Sequence, residues 1–221
     1  LARRYFTADE LAIVEGDMPV AEAFTRLPFD HLLFTGSTAV GRHVMRAAAE
    51  HLTPVTLELG GKSPAIVAPN YPLDKATARI LAGKCLNAGQ TCIAPDYLFV
   101  PAGQEQAFAE AARRVVAKSY PDIARNPDYT AIVNERHFQR LNAYLEDATA
   151  RGATLVSLAE CPPNGANRRC LPPTLILGAN DDMLIMQEEI FGPLLPGVTY
   201  DRLDDALAFI NRHDRPLALY L

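Results

Sequence analysis

The sequence lacks several features that would place a chain in a specialised class of protein. No apolar run approaches the roughly 18 to 20 residues that cross a bilayer, and no basic and apolar leader opens the chain. Basic residues are not in excess, since 21 Lys and Arg stand against 26 Asp and Glu, for a net charge of −5. Such a surface repels phosphate backbones. We therefore expect a cytoplasmic protein that neither spans a membrane nor binds nucleic acid.

Neither cysteine nor histidine follows the spacing of a metal site. The four cysteines, Cys85, Cys92, Cys161 and Cys170, include no CxxC pair, and the 5 histidines include no HExxH pattern. The sequence therefore predicts no bound metal. It also predicts free thiols in a reducing compartment rather than a disulfide scaffold.

The residues that are present indicate a folded α/β protein. The hydrophobic share is 49% and the charged share 21%, which is ordinary for a globular chain. Apolar strand-like runs alternate with helical patterns, and this alternation favours parallel α/β structure. Strands are predicted at 11–14, 31–34, 54–59, 65–68, 97–100, 153–158, 174–177, 184–186 and 217–221. Helices are predicted at 1–6, 20–27, 38–51, 73–88, 104–119, 134–151 and 204–211, with a surface loop at 159–169.

A glycine-bounded turn, from Gly36 through Ser37 to Gly41, joins a predicted strand to a predicted helix. Unpaired amides at a helix N-terminus can receive a phosphate. The segment is neither GxGxxG nor a P-loop, so a second interpretation is equally open. In that interpretation Ser37 only caps the helix.

Two further residues are candidates for covalent chemistry. Cys92 follows Gly89 between a helix and a strand, where a loop could present a nucleophilic thiolate, although the local sequence by itself favours a buried structural thiol. Glu58 ends an apolar strand, where burial would make it a usable general base, but an exposed strand-end acid is the simpler interpretation.

Four motifs in order resemble the NAD(P)-dependent aldehyde dehydrogenase superfamily: FTGSTAVG at 34–41, LELGGKSP at 57–64, GQTC at 89–92 and EEIFGP at 188–193. The resemblance covers nearly the whole chain. The sequences of residues 87–97, 187–196 and 215–220 are similar to those of the class 3 branch of this superfamily, whose members oxidise fatty and aromatic aldehydes. Residues 29–45 resemble the bacterial coniferyl aldehyde dehydrogenases of that branch.

The resemblance implies a role for each motif. Cys92 would attack the aldehyde, and Glu58 would activate the water that hydrolyses the resulting thioester. Gly36, Ser37 and Gly41 would contact the pyrophosphate of NAD or NADP, Glu189 its nicotinamide ribose, and Phe191 its ring. The substrate would be an aromatic aldehyde such as coniferyl aldehyde, or a medium- or long-chain aliphatic one.

The resemblance also implies an internal fragment of a longer protein, whose parent would be a homodimer. Residues 1–60 would be the back part of a Rossmann-like cofactor domain, and 61–221 a catalytic domain truncated at its C-terminus. The family's asparagine oxyanion donor and adenosine-binding residues would precede Leu1, so we expect the isolated chain to be inactive. Two alternatives stay open: a thiol hydrolase or esterase without nucleotide, and a non-catalytic structural domain.

Overall fold

The computed structural model describes residues 2–161 and 169–221. It divides into two compact units, residues 1–59 and residues 60–221. The assignment of the first to cofactor binding and the second to catalysis stays a prediction. In the described part of the chain, no helix combines the length and the apolar character that crossing a membrane requires.

The described residues of the first unit form a small parallel sheet and three helices. Its elements are α1 (Ala2–Tyr5), α2 (Met18–Thr25), β1 (Leu32–Gly36), α3 (Thr38–Ala49) and β2 (Val55–Leu59). Strands β1 and β2 pair in parallel. The predicted cap at the start of α3 is present, since the Ser37 hydroxyl accepts a hydrogen bond from the Val40 amide at 3.3 Å. Val44 and Ala48 of α3 are buried, which fixes this helix over the sheet.

The second unit is built on a five-stranded sheet. Its elements are β3 (Pro64–Ile66), α4 (Leu73–Cys85), a 3₁₀ turn (Leu86–Gly89), β4 (Tyr97–Pro101), α5 (Glu105–Ser119), α6 (Glu135–Ala150), β5 (Thr154–Ser157), β6 (Thr174–Leu177), α7 (Leu184–Gln187), β7 (Leu194–Tyr200) and α8 (Leu203–Asn211). The strand order is β3-β4-β7-β6-β5, and every pair is parallel except β5 with β6. The predicted parallel α/β class is therefore confirmed.

Both faces of this sheet are covered by helices. Along β4, Tyr97 and Phe99 enter one hydrophobic cluster, while Leu98 and Val100 enter the other. This alternation follows from the two-residue period of a strand. The first cluster is shared with α6, α7 and α8, and the second with α4 and α5. The sheet is thus buried on both sides, as its near-continuous apolar strands indicate.

Several local predictions were wrong. Residues 11–14 form no strand and are exposed, and 184–186 are part of the helix α7. The central strand β7 was not predicted. The apolar run 217–221 contributes only one bridge, between Ala65 and Tyr220. Most of the predicted surface loop, 162–168, lies outside the described residues.

The prediction of four free thiols also needs correction. Cys161 and Cys170 are joined in a disulfide, whereas Cys85 and Cys92 are free. The two bonded cysteines are nine residues apart in the chain, and their Cα atoms lie 6.0 Å apart, within the range that a disulfide can bridge. Sequence spacing alone could not show this proximity.

Candidate active site

Cys92, the predicted nucleophile, lies on an exposed turn between the 3₁₀ turn and β4. The other free thiol, Cys85, is buried at the end of α4. Burial raises the pKa of the Cys85 thiol to about 12, so this group stays protonated near neutral pH. The interpretation of a buried structural thiol therefore fits Cys85, and Cys92 is the thiol that solvent and small molecules reach.

The backbone before Cys92 adopts an uncommon conformation. Asn87, Ala88 and Gly89 follow one another with φ of 50°, 52° and 72°, in the left-handed region. The Asn87 side-chain amide donates to the Gln90 carbonyl at 3.1 Å and stabilises this turn. A methyl group on Gly89 would overlap the backbone carbonyl of Gly192. The turn that carries Cys92 is therefore packed directly against the end of the EEIFGP segment.

The EEIFGP segment, residues 188–193, is held in turn by α6. The Arg140 guanidinium donates to the carbonyl of Glu189 at 3.2 Å and to that of Ile190 at 2.6 Å. Phe191 has φ of 47° and leaves its ring partly exposed. Leu141, the next residue of α6, contacts the position that a side chain at Gly192 would occupy. Helix α6 thus sets the path of this segment.

The carboxylate of Glu189 lies half-buried against the glycine pair that opens the second unit. A methyl group on Gly60 would overlap this carboxylate, and the Gly61 amide donates a hydrogen bond to it. Burial raises the pKa of the Glu189 carboxyl, and the nearby charge of Asp96 raises it further. A side chain at position 60 would therefore displace the Glu189 carboxylate from this place.

An ion pair that was not predicted, between Lys62 and Asp96, connects three segments of the chain near the Glu189 carboxylate. The Lys62 ammonium contacts the buried Asp96 carboxylate, and it also donates to the carbonyls of Ile185 at 2.8 Å and Glu188 at 2.9 Å. The second Asp96 oxygen accepts from the Ile190 amide at 3.0 Å. Lys62 and Asp96 therefore connect the start of β3 and the start of β4 to the EEIFGP segment.

A second lysine is buried nearby. Lys84 is 1% exposed, and its amine has no hydrogen-bond partner among the described residues. Burial lowers the pKa of Lys84 to about 8, an effect that the charge of Asp96 partly opposes. The Lys84 amine is therefore easier to deprotonate than a solvent-exposed lysine.

The remaining predicted site residues belong to the first unit. Gly36 and Ser37 are exposed where β1 meets α3. Gly41 lies one turn inside α3, where its amide donates to the Ser37 carbonyl at 2.9 Å and a methyl group would come within 2.8 Å of the Leu59 side chain. The structure thus gives Gly41 a packing role, and its contact with a cofactor stays a prediction.

Glu58 lies on β2, opposite Thr35 of β1 in the register of the two strands. Its side chain is exposed, as in the simpler of the two interpretations of the sequence. The burial that would favour a general base is not present. Glu58 and Cys92 belong to different compact units. Their roles as base and nucleophile stay predictions.

Sequence reasoning missed the residues that hold the motifs in place. These are Lys62, Asp96, Arg140 and Gln90, the last of which fixes the Cys92 turn. Lys62 and Gln90 lie inside two of the quoted motifs, but a motif does not show these contacts, because their backbone partners are remote in the chain. Among the described residues, no group of three or more His, Cys, Asp or Glu side chains could hold a metal ion.

Two curated relatives show what this chain is similar to. It is 58% identical over 220 residues to a probable coniferyl aldehyde dehydrogenase of Pseudomonas aeruginosa, covering 100% of this chain and 45% of the relative. It is 43% identical over 223 residues to aldehyde dehydrogenase family 3 member A2 of Mus musculus, covering 100% of this chain and 44% of the relative. The chain therefore spans about half the length of the curated relatives it matches.

Solved structures give the same likeness. The substrate-bound aldehyde dehydrogenase AldH of Staphylococcus aureus is 40% identical, with a TM-score of 0.90 over 99% of this chain and 47% of that one. An aldehyde dehydrogenase of Mycobacterium tuberculosis complexed with NAD+ is 34% identical, with a TM-score of 0.78 over 87% of this chain and 41% of that one. The model of the aldehyde dehydrogenase family matches residues 8–221, and the chain belongs to that family.

Proposed function

We propose that this chain provides the nucleophile, the general base and part of the cofactor site of an NAD(P)-dependent aldehyde dehydrogenase. The observation that carries the proposal is the state of the two free thiols. Cys92 is exposed on a constrained turn against the EEIFGP segment, while Cys85 is buried and protonated. The arrangement leaves one accessible sulfur on a turn that packs against the acidic segment which would contact the cofactor.

The residues present fit a dinucleotide cofactor. Helix α3 has 12 residues and begins directly after the exposed Gly36 and Ser37, so its first amides can bind an anionic pyrophosphate. The half-buried Glu189 carboxylate can accept hydrogen bonds from ribose hydroxyls, and the partly exposed Phe191 ring can contact a planar base. When bound, NAD or NADP would accept the hydride that leaves the substrate.

Cys92 carries the covalent step. Its thiolate sulfur would attack the carbonyl carbon of the aldehyde, which converts the substrate into a thiohemiacetal on the enzyme. Loss of hydride from that carbon then leaves a thioester. The amide of Cys92 itself is one donor available to the developing oxyanion.

Glu58 completes the cycle as general base. Its carboxylate would take a proton from the water that attacks the thioester, so the acid is released and the Cys92 thiolate is restored. A general base of this kind contributes roughly 10²- to 10⁴-fold to the rate. Its exposure on β2 makes it accessible to water.

We propose as substrate an aromatic aldehyde such as coniferyl aldehyde, which the likeness to a probable coniferyl aldehyde dehydrogenase supports, or a medium- or long-chain aliphatic aldehyde. Because the chain spans about half of its relatives, we assign the activity to the longer protein and expect none from the 221-residue chain alone. We further propose that the parent is a homodimer and acts in the cytoplasm.

The test is an assay of the longer protein with aromatic and aliphatic aldehydes, following reduction of NAD and NADP by absorbance. Cys92→Ala should abolish turnover, whereas Cys85→Ala, at the buried thiol, should retain it. Glu58→Gln should slow hydrolysis of the thioester, so that a burst of reduced cofactor precedes a slow steady state. Full turnover by Cys92→Ala would refute the mechanism.

The same experiment distinguishes an aldehyde dehydrogenase from the alternative, a thiol hydrolase. An esterase that uses Cys92 would hydrolyse activated esters without any nucleotide. Aldehyde-dependent reduction of NAD or NADP has no place in such a mechanism. Ester hydrolysis in the absence of aldehyde-dependent cofactor reduction would therefore favour the hydrolase.

A further inference from the structure

The side chain of Gln90 joins the Cys92 turn to a distant part of the second unit. Gln90 is 7% exposed. Its amide nitrogen donates to the carbonyl of Asn87 at 3.0 Å and to that of Ala131 at 3.1 Å. Its amide oxygen accepts from the Val133 amide at 2.9 Å. Both side-chain N–H groups and the oxygen are thus bonded to backbone, one bond within the turn and two outside it.

The segment that Gln90 contacts is itself fixed in the core. Ile132, between the two contacted residues, is fully buried. Its amide donates to the Arg169 carbonyl at 3.1 Å, and its carbonyl accepts from Arg169 Nε at 2.7 Å. The backbone groups on either side of Ile132 therefore give Gln90 a rigid attachment point.

The Cys92 turn is held on its other side by a phenol. The Tyr220 hydroxyl donates to the Ile93 carbonyl at 2.6 Å. Cys92 thus lies between two attachment points, Gln90 two residues before it and Ile93 one residue after it. Its own side chain is exposed, so these neighbours determine where the sulfur lies.

We propose that Gln90 is a positioning residue for Cys92. By binding the backbone at Ala131 and Val133, its amide holds the left-handed turn in the one conformation that directs the thiol at the substrate. The inference rests on the proposed function for its effect on catalysis. A displacement of about 1 Å at a reacting atom costs on the order of 10²-fold in rate. The loss of Gln90 should therefore act on turnover, since no substrate contact is removed.

The first experiment uses the 221-residue chain and requires no activity. Amide hydrogen exchange at Val133 reports the bond directly, because Val133 is 62% exposed and its amide donates to the Gln90 side chain. Gln90→Met, which keeps the length of the side chain, should raise the exchange rate at Val133 at least tenfold. Gln106→Met changes an exposed glutamine of α5 and should leave that rate unchanged.

The same protein samples also show whether the environment of the Cys92 sulfur changes. A trifluoroacetonyl label on Cys92 should give one ¹⁹F resonance in the wild-type chain. In Gln90→Met that resonance should broaden or shift toward the position of the free labelled thiol. Labelled Gln106→Met should match the wild type. Cys92→Ser identifies the signal by removing it.

The second experiment uses the longer protein and separates kcat from KM. Gln90→Met should lower kcat for aldehyde oxidation about 10- to 100-fold and change KM for the cofactor less than twofold. Gln90→Glu keeps the acceptor for Val133 and loses the amide donors, so its kcat should lie above that of Gln90→Met but more than twofold below that of the wild type. This isosteric variant keeps the test available if Gln90→Met does not fold.

The outcomes of the two experiments are distinguishable. If the wild-type longer protein oxidises no aldehyde, the proposed function fails while the exchange and ¹⁹F data still decide the role of Gln90. An unchanged ¹⁹F resonance in folded Gln90→Met would overturn the inference. A kcat within twofold of wild type in either Gln90 variant of an active enzyme would overturn it as well.

Discussion

The buried ion pair between Lys62 and Asp96 leads to the sharpest prediction about stability. The Asp96 side chain is 3% exposed and that of Lys62 is 13% exposed. Asp96→Asn keeps an acceptor for the Ile190 amide but removes the only charge on that side chain. The Lys62 ammonium would then remain buried without its counter-ion, which typically costs about 3–5 kcal/mol. We expect the free energy of unfolding to fall by this amount.

The chain offers a matched control in the same compact unit. Arg114 contacts Asp74 at 2.8 Å, but the two side chains are 64% and 80% exposed. An exposed pair contributes about 0–1 kcal/mol, because water solvates both charges when they separate. Asp74→Asn should therefore change the free energy of unfolding by less than about 1 kcal/mol.

The measurement is urea unfolding of the wild type and both variants, followed by far-UV circular dichroism in the same buffer. The two substitutions have the same chemistry and differ in burial, so the difference in their effects isolates the cost of an unpaired buried charge. Similar m-values would indicate that the same transition is compared. Equal losses of stability, or a loss below about 1 kcal/mol for Asp96→Asn, would refute this reasoning.

Three further predictions concern other features of the second unit. Gly89→Ala should destabilise the chain more than Gly103→Ala in thermal unfolding, because both glycines have positive φ but only Gly89 lies against a backbone carbonyl. A smaller effect at Gly89 would contradict the close approach. Reduction of the Cys161–Cys170 disulfide by dithiothreitol should lower the free energy of unfolding by about 2–3 kcal/mol, through the entropy of a short loop in the unfolded chain. A double Cys→Ser variant that still responds to dithiothreitol would point to another cause. Lys84 has a pKa depressed to about 8 when folded and near 10.5 when unfolded, so wild-type stability relative to Lys84→Met should rise between these pH values. A pH-independent difference would show that the amine is not buried as described.

The elements that could be predicted were those whose ends are marked by nearby residues in the sequence. Helix α6 was predicted well, since Asn134 caps it with a bond from the His137 amide and Gly152 follows it with φ of 89°. Strand β7 was missed because Pro196 and Gly197 interrupt its apolar run. Both residues disfavour a central strand, yet β7 pairs with β4 on one side and β6 on the other. Tertiary pairing outweighed local propensity there.

Short apolar runs gave the opposite error. Residues 184–186 have the composition of a buried strand, but they form part of the helix α7, because three apolar residues define no period. Residues 11–14 are equally apolar and form no strand, and they are exposed. A strand exists only where a neighbouring backbone supplies its hydrogen-bond partners. No local pattern contains that information.

For the candidate site, too, some features could be predicted from the sequence and others only from the structure. The order of four motifs along the chain was enough to indicate the family and to select Cys92, Glu58 and Glu189 as candidates. A motif is recognised from its residues alone, so no structure was needed for this step. Only the tertiary structure decided that Cys92 is exposed while Cys85 is buried, and that Glu189 lies against Gly60.

Tertiary structure alone also revealed what holds these residues in place. Lys62 meets Asp96 across 34 positions of the chain, and Gln90 meets Val133 across 43. Such contacts depend on how strands and helices pack, and on the removal of water from the charges and amides involved. The sequence by itself thus determined which groups could do the chemistry, and the packing of the chain determined which of them are free to react and which are held.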